Sequence, residues 1–287
     1  MQAGGAPGQS REVDLHMHST ASDGTLAPSR IVAAAKAARL DAIALTDHDT
    51  IAGVPEAVAA GRELGVRVVP GVELSAHDGA REIHLLVLHL IHVSDLESHL
   101  AGFREARERR ARQIVDRLRT LGMDVDAEAV LLEAKGGAVG RPHIARVMVR
   151  SAFVRDMRDA FDRFLGDGRP AFVPKRRLEV IDAIAIGHAA GAIVIWAHPG
   201  GEGRRDRLEP LVKLGLDGVE VRHPGHSADD TGSLNALADH FGLVKSGGSD
   251  WHGTPGGPRV LGSMHVPGEW LDKQDEAAAR RQTVEVV

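Results

Sequence analysis

The chain has 287 residues, of which 43% are hydrophobic and 26% charged, a balance typical of a globular protein and not of a disordered chain. It has no cysteine, which excludes disulfides and thiolate metal sites, but its 16 histidines could support metal chemistry through imidazole. The formal net charge of −5 argues by itself against a general polyanion binder.

The first eleven residues are rich in Gly, Ala and Gln and lack a hydrophobic core. We therefore expect residues 1–11 to form a disordered tail and not a secretion signal. No apolar run approaches the ~18 residues that a membrane span needs. We expect a cytoplasmic protein that has no membrane association and no obligate protein partner.

Strand and helix patterns alternate through residues 12–98. The predicted strands are 12–16, 41–46, 66–74 and 83–90, and the predicted helices are 28–40 and 52–64. Such alternation favours a parallel sheet or barrel.

A helical segment follows and separates this region from a second strand and helix series. Residues 104–121 predict one long, arginine-rich helix, and shorter helices are predicted at 127–135, 142–149 and 155–165. The alternation resumes with helices at 178–190, 207–214 and 229–241 and strands at 192–197, 218–222 and 243–246. We interpret residues 99–180 as a helical insertion that covers the active site of a barrel formed by 12–98 and 181–287.

The charges support this division. Residues 99–180 contain 18 basic and 12 acidic residues, a net of +6, whereas the remainder contains 17 basic and 28 acidic residues, a net of −11. An acidic barrel is suited to hold cations, and a basic insertion is suited to attract phosphate.

Histidines and carboxylates follow five predicted strands. In an α/β barrel such residues converge on the rim formed by the carboxyl ends of the strands. His84 is an exception, because it lies early in its strand. His16 and His18 would share one face of a strand, since side chains alternate with period two, but an H-x-H pair alone is a weak signal. Asp49 could orient His48 or cap the helix that follows it.

The joint pattern is more specific than its parts. The segments DLHMHSTASDGTL (14–26), ALTDHDT (44–50), GVELS (71–75), EIHLL (82–86), AHPG (197–200) and GGSDWH (247–252) resemble, in order, the motifs of the PHP (polymerase and histidinol phosphatase) family. The resemblance implies a metal-dependent phosphoesterase with an α/β fold, a distorted (β/α)7 barrel.

The same resemblance implies a ligand set. The first metal would be held by His16, His18, Glu73 and Asp250, the second by Glu73, His84 and His198, and the third by Asp23, His48 and His252. It makes Asp23, His48 and His226 the candidate catalytic residues. Nitrogen and oxygen ligands suit two or three divalent ions, and we expect Mn²⁺ first, with Fe²⁺ or Zn²⁺ as alternatives.

Substrate contacts are expected outside this set. Arg141 opens a predicted helix, and both arginine and helix N-termini favour phosphate. The segments RPHIA, AFVPK and HPGH resemble a PHP subgroup of 3',5'-nucleoside bisphosphate phosphatases and relatives that trim RNA from the 5' end. This implies phosphate contacts by Arg141 and Lys175, and by His223 or His226, one of which could instead protonate the leaving oxygen.

Our leading hypothesis is a phosphatase that removes the 3'-phosphate of a small nucleoside 3',5'-bisphosphate. The second hypothesis is a 5'-3' exoribonuclease that acts on short 5'-phosphorylated RNA. Aromatic residues are only 3% of the chain, however, so few side chains are available to stack on successive bases. A histidinol-phosphate-type phosphatase and a non-catalytic, metal-stabilised binding module are two further hypotheses.

Overall fold

A single eight-stranded sheet organises the fold. The structure is a computed structural model that describes residues 11–134, 139–174, 177–254, 257 and 259–284. The strands are β1 (Glu12–Asp14), β2 (Ala42–Leu45), β3 (Arg67–Asp78), β4 (Arg81–Leu88), β5 (Ile193–Trp196), β6 (Gly218–Arg222), β7 (Val244–Gly247) and β8 (Val266–Pro267). Their order in the sheet is β7-β6-β5-β4-β3-β2-β1-β8.

The sheet curls into a nearly closed barrel. The Leu15 N–H donates to the Gly247 carbonyl at 3.0 Å, and the Asp250 N–H donates to the His16 carbonyl at 2.8 Å. These bonds join the extension of β1 to the end of β7, which brings the first and last parallel strands side by side. The α/β barrel expected from the sequence is therefore confirmed.

Two strands depart from the parallel arrangement that the alternating pattern favours. β4 pairs antiparallel with both β3 and β5, and β8 pairs antiparallel with β1. β3 and β4 are joined by the short turn at Gly79, whose φ of 62° is accessible to glycine without strain. As a result, the amino end of β4 lies at the rim where the parallel strands have their carboxyl ends.

The helices pack around this sheet and beside it. They are α1 (Pro28–Ala37), α2 (Val54–Leu64), α3 (Val93–Thr120), α4 (Ala127–Glu133), α5 (Arg141–Arg150), α6 (Met157–Ala160), α7 (Val180–Ala189), α8 (Arg205–Lys213), α9 (Ala228–Phe241) and α10 (Gly268–Val284). A π-helical turn, Phe161–Leu165, follows α6 directly, so the helix expected at 155–165 is divided. No helix in the described ranges is both long and apolar enough to cross a membrane.

The segment between β4 and β5 has a hydrophobic core of its own. Ile114 and Leu118 of α3 pack there with residues of α4 and α5, whereas Leu96 and Leu100, near the start of α3, pack in the barrel core. One helix thus belongs to both cores. The boundaries proposed for the insertion, 99 and 180, stay a prediction.

The end of the chain was not anticipated from the sequence. α10 buries only a sparse stripe, formed by Trp270, Leu271, Gln274 and Ala278, which gives a weak helical pattern. It also binds the beginning of the chain, since Arg11 forms an ion pair with Asp272. Of the expected disordered tail, 1–11, the other ten residues lie outside the described ranges.

Candidate metal centre

The barrel rim collects the histidines and carboxylates singled out in the sequence. His16 and His18 follow β1, His48 follows β2, Glu73 lies within β3, His198 follows β5, and Asp250 and His252 follow β7. His84 joins them because β4 is antiparallel, so that a residue early in the strand reaches the same rim. The nine residues of the expected ligand set form four overlapping groups of close donor atoms: His18, Asp23, His48 and His252; His16, His18 and Asp250; His16, Glu73 and His198; and His48, Glu73 and His84.

The Glu73 carboxylate is the centre of this cluster, and it is almost fully buried. Three imidazole nitrogens lie 3.1–3.3 Å from its Oε2 atom: those of His16, His18 and His48. Two others lie 2.8 and 2.9 Å from Oε1: those of His84 and His198. Since each oxygen faces a different set of imidazoles, Glu73 is placed to bridge two cations.

Asp250 completes the buried side of the cluster. Its Oδ1 atom lies 3.0 Å from His18 Nε2 and 3.5 Å from His16 Nε2. Its Oδ2 atom instead faces Arg259 at 2.6 Å and His223 at 3.3 Å. Oδ1 is thus directed at His16 and His18. Oδ2 is held by Arg259 and His223.

Glu220 of β6 is a functional candidate that our sequence reasoning missed. It is fully buried, and its Oε1 lies 3.1 Å from His16 Nδ1 while its Oε2 accepts the His198 N–H at 2.6 Å. A carboxylate partner on the remote nitrogen of a ligating imidazole fixes its tautomer and orientation. The signal was available, because Glu220 is a lone carboxylate between two valines in a buried strand.

The third expected group lies on the open side of the cluster. Asp23 Oδ1 is 3.3 Å from His252 Nε2, and His48 is close enough to share a cation with both. Asp47 holds the loop that carries Asp23, since its carboxylate accepts hydrogen bonds from Ser19 and Ser22. This loop is therefore tied to the end of β2.

Asp49 fixes the turn next to His48. Its N–H donates to the Glu73 carbonyl at 2.9 Å, and its Oδ1 accepts the Ser75 N–H at 2.8 Å. It does not cap α2, whose N-cap is Gly53, so the capping alternative is wrong. Asp49 also has a left-handed backbone with φ of 49°, a conformation that Asp adopts more readily than most residues.

The electrostatics favour cations throughout this centre. Burial opposes ionisation of Glu73, but His48, His84 and His16 outweigh it and hold the pKa of that carboxyl well below its usual range. Burial likewise opposes charge on His18, yet Asp250 and Glu73 raise its pKa to about 10. In contrast, burial lowers the pKa of His48 to about 3, so it is a neutral ligand candidate.

Unsatisfied buried atoms test whether the centre fits metal ions. His16 Nε2, both ring nitrogens of His18, His48 Nδ1 and Glu73 Oε2 are buried and make no hydrogen bond of acceptable geometry within the described ranges. Such atoms are costly unless something else satisfies them. All the donor atoms are nitrogen or oxygen, which are suitable ligands for Mn²⁺, Fe²⁺ and Zn²⁺. The residues present fit a divalent metal centre.

A basic cavity opens beside the centre, with a volume of about 190 Å³. Its lining contains three arginines, Arg107, Arg110 and Arg141, together with Asp23, Glu82, His48 and His84. Burial, followed by the charges of Arg141 and Arg107, lowers the pKa of Arg110 to about 10, so Arg110 is cationic at neutral pH. The sequence had pointed to Arg141 alone.

Arg141 is held between two aromatic rings. Its Cζ atom lies 5.7 Å from the centre of the Phe161 ring and 5.5 Å from that of Phe172. Its Nη1 donates to Asp167 at 2.6 Å and to the Leu165 carbonyl at 3.1 Å. The group is therefore oriented before any ligand binds.

The remaining substrate candidates are placed differently. Lys175 lies outside the described residues. His223 is buried against Asp250, and its Nδ1 accepts the Gly225 N–H at 3.0 Å. His226 accepts the Gly200 N–H at Nε2 and donates from Nδ1 to the Val221 carbonyl. Both nitrogens of His226 are thus engaged with backbone groups, and the expected role of His223 or His226 at the phosphate or the leaving oxygen stays a prediction.

Comparison with known proteins agrees with this geometry. The model of the PHP domain matches residues 14–128. A 5'-3' exoribonuclease of Haemophilus influenzae is 38% identical over 84% of this chain and 90% of its own length. A 3',5'-nucleoside bisphosphate phosphatase of Chromobacterium violaceum is 34% identical, over 87% and 90%. The crystal structure of a candidate metal-dependent phosphoesterase from Bifidobacterium adolescentis superposes with a TM-score of 0.84 at 31% identity, over 92% of this chain and 95% of that one.

Proposed function

This chain belongs to the PHP family and is a metal-dependent phosphoesterase, and from that premise we propose that it hydrolyses the 3'-phosphate of nucleoside 3',5'-bisphosphates. The products would be a 5'-nucleotide and inorganic phosphate. The bisphosphate phosphatase of Chromobacterium violaceum supports this proposal, being similar to the chain over most of both lengths.

The basic cavity is the observation that carries the choice of substrate. A simple monoester needs only one phosphate site, at the metal centre. Here Arg107, Arg110 and Arg141 line a space adjoining Asp23 and His48, which is suited to a second, unreacted phosphate. At about 190 Å³ this space is smaller than a pocket for a drug-sized ligand, so it suits a phosphate and part of a sugar.

The metal ligands are proposed in three sets. His16, His18, Glu73 and Asp250 would hold one ion, Glu73, His84 and His198 a second, and Asp23, His48 and His252 a third. When bound, such ions supply an activated water and positive charge at the reacting phosphate. We expect Mn²⁺ first, with Fe²⁺ or Zn²⁺ as alternatives, since oxygen and nitrogen donors suit all three ions.

The chain's own residues would orient the substrate and stabilise charge. Arg141, held by Phe161 and Phe172, would donate hydrogen bonds to phosphate oxygens without first losing side-chain freedom. Glu220 would keep His16 in the tautomer that presents Nε2 to the centre. His226 holds the backbone of Gly200 and Val221, so the proton for the leaving oxygen would come from solvent.

The second candidate is a 5'-3' exoribonuclease on short 5'-phosphorylated RNA. The similarity to the Haemophilus influenzae exoribonuclease favours it specifically. In that reaction the same cavity would receive the 5'-phosphate, but a phosphodiester would be cleaved. The remaining RNA would then extend past His84 and His198, which are partly exposed.

A substrate panel with the Mn²⁺-loaded protein separates the candidates. For adenosine 3',5'-bisphosphate we expect a kcat/KM about 100-fold above that for AMP or histidinol phosphate, because two charge-assisted hydrogen bonds are worth about 3 kcal/mol or more. Equal values for all three would reject the bisphosphate while leaving a phosphatase. A preference for histidinol phosphate would favour a histidinol-phosphate-type phosphatase.

A time course on a 5'-phosphorylated oligoribonucleotide completes the test. Release of mononucleotides would favour the exoribonuclease, and an untouched oligomer would reject it. If no ester is hydrolysed with Mn²⁺, Fe²⁺ or Zn²⁺, the result would instead indicate a non-catalytic module. The protein treated with a chelator is the control, since its activity should be lost and should return with metal.

A further inference from the structure

Helix α3 connects the barrel to the helical segment beside it. Leu96 and Leu100 pack in the barrel core, and Ile114 and Leu118 pack in the second core. Arg107 lies between these two anchored ends. A helix held at both ends places the intervening side chain firmly, so Arg107 has a defined position relative to both cores.

Arg107 contacts the turn that carries His48. Its Nε donates to Asp49 Oδ2 at 2.9 Å, and a second guanidinium nitrogen pairs with the same oxygen. The side chains of Arg107 and Asp49 are 11% and 8% exposed, so water screens their attraction little. Asp49 in turn is bonded to Ser75 and to the Glu73 carbonyl. Arg107 therefore supports the left-handed turn immediately after His48.

A second arginine makes a similar contact from α5. Arg146 Nη2 donates to the backbone carbonyl of Asp23 at 2.7 Å. This carbonyl belongs to the loop between β1 and α1, which Asp47 ties to β2 through Ser19 and Ser22. Arg146 thus holds from outside the barrel the loop that carries the Asp23 carboxylate.

Both contacts lead to the same one of the proposed metal sites. Asp23 and His48 belong to the group with His18 and His252, and His48 is also close to Glu73 and His84. Glu73 and His84, however, lie within barrel strands, and His16 is bonded through its backbone to the segment after β7. We propose that Arg107 and Arg146 are positioning residues through which the helical segment assembles the third metal site selectively. This inference rests on the metal centre of the proposed function.

Metal binding measures this directly, without activity. The Arg107→Met and Arg146→Met variants would each be purified, stripped of metal and titrated with Mn²⁺. The number of bound ions per chain would be measured by elemental mass spectrometry. We expect the wild-type chain to bind three ions. We expect each variant to bind two of them with wild-type affinity and the third about 10- to 100-fold more weakly, the size of effect seen for other residues that support metal ligands. Matched controls are Arg112→Met on α3 and Arg150→Met on α5, whose exposed ion pairs with glutamates lie away from the centre.

The route through Asp49 has its own test. Asp49→Asn keeps an acceptor for Ser75 but loses the charge that faces Arg107. If Arg107 acts through Asp49, the double variant should lose no more affinity for the third ion than the worse single variant does. Arg107→Lys keeps the charge, and we expect it to recover part of the affinity, which also covers the case in which Arg107→Met does not fold.

Several results would overturn the inference. Variants that bind the third ion as tightly as the wild type would overturn it, whatever their KM for substrate. Equal weakening in the two control variants, or loss of all three ions together, would show a general effect on folding. A wild-type chain that binds two ions would refute the third site but not the proposed phosphatase, whereas one that binds none would refute the proposed metal centre itself.

Discussion

His84 Nδ1 lies 2.8 Å from Glu73 Oε1 across the antiparallel pair β3 and β4. In this register His84 is opposite Ser75, two residues beyond Glu73, so both side chains face the same side of the sheet. The contact depends on the direction of β4, which runs antiparallel to both of its neighbours. Strand direction therefore decides which imidazoles surround the central carboxylate.

Glu220 should control the affinity of the centre for metal. Glu220→Gln removes the charge that faces His16 Nδ1 while keeping the size of the side chain. We expect about 10- to 100-fold weaker Mn²⁺ binding, since partners of metal-ligating histidines have effects of that size. Equilibrium dialysis against buffered Mn²⁺ measures it. Glu209→Gln, which changes an exposed pair with Lys213, is the control, and unchanged binding in Glu220→Gln would contradict the role.

The stability of the metal-free protein should fall as pH rises. The folded-state pKa of His18 is about 10, above its ordinary value of 6.5, because Asp250 and Glu73 outweigh burial. A raised pKa means that the charged histidine stabilises the fold fully below pH 6.5 and ceases to do so as pH rises through about 10. We expect the melting temperature in chelator to decrease over this range by several degrees, given about 2–4 °C per kcal/mol.

Metal should reverse this dependence. Divalent ions bind the deprotonated ligands, so their affinity and their stabilising effect rise with pH and protons are released on binding. Melting curves with and without saturating Mn²⁺ should therefore diverge from pH 6.5 upward. His18→Gln should make the curve in chelator less steep but not flat, because burial of His16 is also outweighed by Glu220, Asp250 and Glu73, which raise its pKa. A flat wild-type curve would show that His18 is not held as a cation.

His226 should matter for folding more than for proton transfer. His226→Asn cannot keep both bonds, to Gly200 and to Val221, so we expect a loss of about 1–3 kcal/mol in the free energy of unfolding. The kcat of the folded variant should stay within a few-fold, and its pH profile should keep its basic limb. A fall of about 100-fold in kcat with loss of that limb would instead identify a general acid.

Arg110 should distinguish bisphosphates from monophosphates. Arg110→Met leaves a cavity with two guanidinium groups, and we expect KM for the bisphosphate to rise about 10- to 100-fold with little change for AMP. Arg109→Met, one residue away and exposed in a pair with Glu105, should have no effect. Since Arg110 also donates to the Val173 carbonyl, a melting curve accompanies the kinetics. Equal KM changes for both substrates would exclude a second phosphate site.

Much of the fold could be read from local patterns. The buried apolar runs of β2, β5 and β6 and the amphipathic helices α1, α2 and α9 were predicted to within a few residues, because a strand in a parallel sheet is apolar throughout and a helix on its outside is not. α10 was missed because its buried face, among the described side chains, is formed by Trp270, Leu271, Ala278 and the polar Gln274, too few apolar residues for a clear pattern. The direction of β4 could not be predicted from local sequence either, because the side-chain pattern of a strand does not indicate whether it pairs parallel or antiparallel with its neighbours.

The sequence by itself determined which residue types are available at the rim and in what order, and therefore the family resemblance and the nature of the donors. Only the tertiary structure decided how they meet: that five imidazoles surround Glu73, that His84 reaches it through a reversed strand, and that His226 is occupied by backbone. It also brought Glu220, Arg107 and Arg110 close to the centre, although they are distant in sequence from the residues that they lie beside. Contacts of this kind depend on strand direction, register and helix packing, which residues distant in sequence fix together.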